Sequence, residues 1–277
     1  VSRGLGRSTQ EIIEAAQGVL SQYQPGRMTL RQVFYRLVSN QTIDNTQKAY
    51  LRLGRCLVTA RKAGMVPWDW LEDRTRRPRE VPAWPNVEAF LSTVKRSYRR
   101  DVWSSQPRQI EAWLEKDTLS GIFEDALREF QVTLNVSRGF DGWSSIYEAS
   151  RRLGDDDLVL YFSDFDPSGE DMCRSLRERL AHFGCRPAVQ KVALTIEDVE
   201  RFELPPNPCK ATDLRRGKHI ARYGDISVEL DALPPEVLKE KIRSAVVGNI
   251  DLNALEQTML MEKSDNARLA EMIARVS

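Results

Sequence analysis

The stretch Leu158-Val159-Leu160-Tyr161-Phe162-Ser163-Asp164-Phe165-Asp166-Pro167-Ser168-Gly169 constrains this chain more than any other. A short, continuously apolar run that stops at two acids and is closed by Pro-Ser-Gly predicts a strand buried on both faces of a covered sheet. Side chains alternate along a strand, so Asp164 and Asp166 are expected to point the same way from its end. In open α/β sheets, chemistry collects outside the carboxyl ends of the strands. Two close carboxylates repel each other, and the usual remedy is a hard divalent cation with oxygen ligands, such as Mg²⁺. The competing reading is a solvated Asx turn capping the next helix, although one aspartate is enough for a cap.

Around this strand the second half of the chain alternates strand and helix. Ile110–Glu115 predicts a first strand, Thr118–Phe130 a helix capped by Asp117, and Val132–Val136 a second strand. A loop with Arg138-Gly139-Phe140-Asp141-Gly142 leads to a helix over Ser144–Leu153. The acidic strand is third, a helix over Gly169–Phe183 follows, and Ala188–Leu194 is the fourth strand. This βαβαβαβ order implies a mostly parallel sheet with helices on both faces. Glu115 then ends its strand on the same edge as Asp164 and Asp166, so three carboxylates are expected to converge. Further helices are expected from Leu233 to about Val247 and from Asp251 toward Arg275, the last a packing or dimer helix.

The first half predicts short amphipathic helices. Ser8-Thr9-Gln10-Glu11 has the form of a capping box, and Ile12, Ala15, Ala16, Val19 and Leu20 follow at helical spacing. Thr29 can cap a second helix over Leu30–Val38, and a third spans Ala49 to Gly64. Met65–Trp70 reads as extended, and three helices with such a tail suggest a winged helix-turn-helix or another small helical domain. On a helical wheel Leu30, Val33, Phe34 and Leu37 share one face. Tyr35 falls off that stripe beside Arg31, so its ring is expected at the surface, where a tyrosine near arginines is commonplace. Pro78, Pro82 and Pro85 mark a linker, after which Val87–Trp103 reads as helical.

Charge limits the possible partners. With 41 Lys plus Arg against 40 Asp plus Glu, any nucleic-acid surface must be local. Dense basic runs at Arg74–Arg79 and Lys95–Arg100 are either solvated faces or such a surface. Cys56, Cys173, Cys185 and Cys209 form no CxxC pair, and only His182 and His219 accompany them, which argues against zinc and fits a reducing compartment. No apolar run reaches membrane-spanning length and no signal-peptide core is visible, so a cytoplasmic protein without a membrane partner is expected. The first residue is Val1, consistent with a removed or trimmed start.

Several of these motifs together resemble a known family. Glu115-Lys116-Asp117, the loop around Gly139 and Asp164-Phe165-Asp166-Pro167-Ser168-Gly169 look like the Toprim domain of the topoisomerase VI A subunit, a relative of the meiotic double-strand-break protein. Arg31-Gln32-Val33-Phe34-Tyr35 resembles that family's tyrosine motif, and Val228–Leu233 resembles a segment late in its chain. The likeness runs through nearly the whole sequence in the right order, in a compact form. It implies a CAP-like winged-helix domain over residues 1–80, a linker over 81–105, and a Toprim domain with C-terminal helices over 106–277. It further implies a homodimer that cleaves double-stranded DNA with Mg²⁺, or Mn²⁺ in its place. Tyr35 would attack a backbone phosphorus, leaving a 5′-phosphotyrosyl link, and would work with the metal site of the other protomer.

On that resemblance the metal ligands are Glu115, Asp164 and Asp166, and the catalytic residues are Tyr35, Arg31, Arg55 and Glu115. Arg31, Arg36, Arg55, Arg61, Lys62 and Lys116 would contact DNA. A phenol is mostly protonated at neutral pH, so nearby arginines would have to favour phenolate. The chain carries no Gly-rich phosphate loop, so strand passage would need a separate ATPase subunit. Rival readings are a Toprim nuclease that uses water, a haloacid-dehalogenase-like phosphatase built on Asp164 and Asp166, and a DNA-binding protein without cleavage.

Overall fold

The computed structural model describes residues 7–71, 81–136 and 143–276. Three helices open it: α1 (Arg7–Gln22), α2 (Leu30–Ser39) and α3 (Gln47–Lys62). Thr29 and Gln32 start α2 with a reciprocal capping box, each side chain accepting from the other's backbone N–H (3.3 and 2.7 Å). The apolar stripes meet at Ile13, Leu20, Val33, Leu37, Leu53 and Leu57, all buried. Gly64 turns the chain after α3 with φ of 72°, a left-handed conformation that glycine adopts without strain. Met65–Trp70 is not the extended segment expected. Trp68–Trp70 forms a 3-10 turn, and among the described residues the strand-like pairing there is a bridge from Met28 to Leu71. Arg61 holds the turn by donating to the Trp68 carbonyl (2.8 Å) and stacking 4.2 Å over its ring.

α4 spans Val87–Ser97, shorter than the helix expected up to Trp103. The chain leaves it at Tyr98 because Tyr98 and Arg100 are drawn to Asp265 (2.8 and 2.6 Å). Half of the Lys95–Arg100 basic run is therefore engaged with acids of the chain's last helix. The Arg74–Arg79 run and the Arg138–Gly142 loop lie outside the described residues.

Four strands, β1 (Ile110–Leu114), β2 (Thr133–Val136), β3 (Leu158–Phe162) and β4 (Ala188–Ala193), form one parallel sheet in the order β2-β1-β3-β4. The protein is mixed α/β, as the strand–helix alternation predicted. β1 and β3 are buried along their whole length, which is why neither shows polar alternation. On one face Ala112, Leu114, Leu160 and Phe162 pack with α5 (Ser120–Leu127) and with buried residues of the N-terminal helices. On the other, Trp113, Val159 and Tyr161 pack with α6 (Trp143–Ser150) and α7 (Pro167–His182). Past β4 come α8 (Ile196–Arg201), α9 (Arg216–Tyr223), α10 (Pro235–Val247), which packs on α5, and α11 (Leu252–Val276). Among the described residues no helix is long and apolar enough to cross a membrane.

Candidate active site

Because β1 lies between β2 and β3, the chain leaves β1 and β3 toward opposite edges of the sheet, and a crevice opens where their carboxyl ends part. Glu115 follows β1 and donates its backbone N–H to Phe162 O at the end of β3 (3.1 Å), which aligns the two strand ends. Glu115, Asp164 and Asp166 all line the resulting cleft of about 1270 Å³. The three carboxylates thus share one cleft, each at the end of β1 or β3.

Each carboxylate is held differently. Asp166 caps α7, its Oδ1 accepting from the Gly169 N–H at 2.7 Å. Asp164 Oδ1 accepts from the Leu230 N–H (2.8 Å) and lies 2.9 Å from Lys116 Nζ. Glu115 is left exposed to the charge of both: burial first, then Asp164 and Asp166, push its carboxyl up to about 7. Its Oε2 is buried without a hydrogen-bond partner. The tight path from Ser163 to α7 depends on Gly169, where a Cβ would stand 2.2 Å from the Asp164 carbonyl oxygen and 2.8 Å from Ser163 Oγ.

These features fit a hard divalent cation in donor chemistry, since all three groups offer oxygens, Asp164 and Asp166 oppose the charge of Glu115, and one oxygen is orphaned. They do not form a finished cage: among the described residues no three acidic, His or Cys side chains are gathered tightly enough to hold a metal ion. Lys116 stands in the way. Its ammonium lies 2.9 Å from Asp164 Oδ1, 2.9 Å from Glu229 Oε2 and 3.2 Å from Asp231 Oδ2. Burial disfavours the charged amine, but Asp164, Asp231 and Glu229 outweigh it and keep Lys116 protonated well above the usual lysine range. Asp231 makes no hydrogen bond of good geometry from either oxygen although it is fully buried.

The same acids reach α2. Arg31 pairs with Glu229 Oε2, and the charge of that carboxylate reaches the Tyr35 phenol. The expectation of a surface tyrosine is overturned: Tyr35 is 5 % exposed. A wheel drawn for an isolated helix assumes water opposite its apolar stripe, whereas here the Leu230–Ala232 turn packs on that face. Burial, then the charge of Glu229, raises the Tyr35 phenol far above its ordinary range, against the opposing pull of Arg31 and Lys116. Tyr35 opens onto a separate pocket of about 160 Å³. Arg31 and Glu229 line both this pocket and the main cleft, so their ion pair is the partition between them.

The remaining predicted residues scatter. Arg36 is half-buried, its guanidinium pKa lowered by burial and partly restored by Glu236 of α10. Arg55 is exposed on α3 beside a shallow groove with Leu30, Tyr50, Leu51 and Val58. Lys62 is exposed at the end of α3, and Arg61 is committed to Trp68. Of the six residues expected to contact DNA, Arg31 and Lys116 line the cleft. Sequence reasoning gave no role to Glu229 or Asp231, although Glu229-Leu230-Asp231 repeats the acid-apolar-acid spacing of Asp164 to Asp166. It also passed over Lys210, Lys218 and Arg222, which line the cleft and belong to a visibly basic stretch. No protein-family model matches the chain, and no curated protein matches it, so a functional reading rests on this geometry and on the motifs that led to it.

Proposed function

We propose that this protein is a metal-dependent DNA-cleaving enzyme of the topoisomerase VI A-subunit type, a winged-helix unit joined to a Toprim unit, with Tyr35 as nucleophile. The observation that carries the reading is the convergence of Glu115, Asp164 and Asp166 from adjacent strand ends on one large cleft, with Lys116 and Arg31 at its side. Mg²⁺ or Mn²⁺ held by Glu115, Asp164 and Asp166 would supply charge for the leaving 3′-oxygen of a phosphodiester. The chain's own part is to hold the scissile phosphate beside Arg31. The Tyr35 oxygen then bonds to phosphorus as the bond to the 3′-oxygen breaks, the phenol losing a proton and the 3′-oxygen gaining one. Duplex DNA is the substrate class, two copies of the chain cut the two strands, and strand passage calls on a separate ATPase.

Tyr35 is withdrawn in this arrangement. For it to reach DNA, the Arg31–Glu229 partition must open and α2 must leave the Leu230–Ala232 turn. The resemblance pairs each tyrosine with the opposite protomer, whereas here the phenol rests against acids of its own chain. Its burial favours a second reading, a Toprim-type nuclease in which water attacks and Tyr35 only packs. The test is incubation of supercoiled plasmid with Mg²⁺ or Mn²⁺, with and without protease before electrophoresis. Transesterification gives linear DNA that enters the gel only after proteolysis and is lost in Tyr35→Phe; cutting that survives Tyr35→Phe, free of protein, establishes the hydrolase instead.

A further inference from the structure

The cleft has a second side that the metal-binding acids do not explain. Between β4 and the Leu230–Ala232 turn, the chain makes an excursion whose residues Lys210, Lys218 and Arg222 line the cleft and are exposed. Its docking is specific. Phe165, the residue between Asp164 and Asp166, is 1 % exposed and packs its ring 5.2 Å from His219 and 5.1 Å from Tyr223. His219 Nε2 reaches the Ile226 carbonyl oxygen (2.9 Å), and Phe165 bridges to Val228. His219 and Tyr223 are four residues apart, so they form the docked face of α9. Lys218 and Arg222, each one residue earlier, form the adjoining face, with about 5–6 Å between their Cβ atoms.

The ion pairs of this segment belong to neighbouring residues: Arg215 with Asp171 (3.0 Å) and Asp213 (3.6 Å), and Arg216 with Asp225 (2.7 Å). Lys210 and Lys218 stand outside these pairs. The two sides differ in balance: Glu115, Asp164 and Asp166 share the strand ends with Lys116, while Lys210, Lys218 and Arg222 share the later segment with Asp213. A ligand that suits both sides is an anion that also bridges to a hard cation, which is the chemistry of a phosphodiester. The anchoring of α9 on Phe165 ties Lys218 and Arg222 to the segment that carries Asp164 and Asp166.

We propose that Lys210, Lys218 and Arg222 form a phosphate-gripping wall that holds the DNA backbone across the cleft from the acids. This deepens, and rests on, the DNA-cleaving reading. Each phosphate neutralised on duplex DNA adds about 0.9 to the slope of log affinity against log salt, so three contacts add about 2.7. The test is duplex-oligonucleotide binding by fluorescence anisotropy in EDTA, at about 50 and about 200 mM salt, for wild type and for Lys210→Ala/Lys218→Ala/Arg222→Ala. The wild type is expected to lose about 40-fold more affinity over that salt range than the triple variant. Lys218→Gln alone, an exposed and mild change, is expected to lower the slope by about 0.9 and provides the reading if the triple variant folds poorly. Variants with wild-type affinity and slope, in a protein that binds duplex, overturn the wall and leave the cleavage reading standing. Failure of the wild type to bind duplex overturns both. Inorganic phosphate bound by the wild type and not by the variant, with duplex affinity unchanged, overturns the assignment to a nucleic-acid backbone.

Discussion

Lys116 Nζ lies 2.9 Å from Asp164 Oδ1, and the same ammonium reaches Glu229 and Asp231, so one cation serves three carboxylates beside the cleft. The Lys116 side chain is 19 % exposed and that of Asp231 is 0 %, so water does little of the screening. Removing one partner of such a group leaves the other charges buried and uncompensated, which typically costs about 3–5 kcal/mol. Lys116→Gln is therefore expected to lower stability by that order in urea unfolding at neutral pH, and to regain it as acidification protonates the carboxylates. Added Mg²⁺ should raise the thermal midpoint more in the variant than in the wild type, since Asp164 then lacks its ammonium partner and keeps only the Leu230 N–H. Equal shifts in the two proteins would show that Lys116 does not compete with a divalent cation for these acids.

Glu115 sets a pH dependence of its own. Its folded carboxyl titrates at about 7 against an ordinary value of 4.5, because burial and then Asp164 and Asp166 oppose its charge. The folded state thus holds a proton that the unfolded state has released, and stability falls as pH rises between these two values. The size is on the order of 3 kcal/mol. Glu115→Gln is expected to flatten this fall, so that its thermal midpoint gains on the wild type between about pH 5 and about pH 8. A difference that stays constant with pH would mean that Glu115 carries no strained charge.

What the sequence disclosed and what it withheld have physical causes. Leu158–Phe162 could be read because burial on both faces leaves an unbroken apolar run. The meeting of Glu115 with Asp164 could be read because each follows a parallel strand, and carboxyl ends share an edge whatever the strand order. Tyr35 was misjudged because its cover comes from residues 230–232, nearly two hundred positions away, and a helical wheel contains no such information. The cleft-lining cations of α9 escaped because the docked face of an eight-residue helix rests on His219 and Tyr223, too few to give a period. Nothing local marks the ring contact of Phe165 with that helix.

Gly169 tests the frame that carries both acids beyond the third strand. An added Cβ would come within 2.2 Å of the Asp164 carbonyl oxygen, a backbone atom that cannot rotate away. Gly169→Ala is expected to displace the Asp164–Asp166 loop at a cost of about 1–3 kcal/mol, the usual range for overpacking. Mg²⁺ should then stabilise the variant less than the wild type in thermal melts, and divalent-dependent cleavage should be lost. A variant with an unchanged Mg²⁺ response would show that the acids keep their positions independently of this turn.

Glu229 restrains the phenol of Tyr35 in two ways. Its charge disfavours phenolate, and its pair with Arg31 closes the partition between the small pocket and the cleft. Glu229→Gln removes the negative charge while keeping the size, leaving Arg31 and Lys116 to favour phenolate, so the Tyr35 pKa must fall. The lost charged hydrogen bonds cost about 1.5–3 kcal/mol of stability. If Tyr35 is the nucleophile, protease-sensitive DNA adducts should form at lower pH in Glu229→Gln than in the wild type, with Tyr35→Phe as the blank. An adduct profile that stays in place, or that moves to higher pH, would show that Glu229 does not hold the phenol in check.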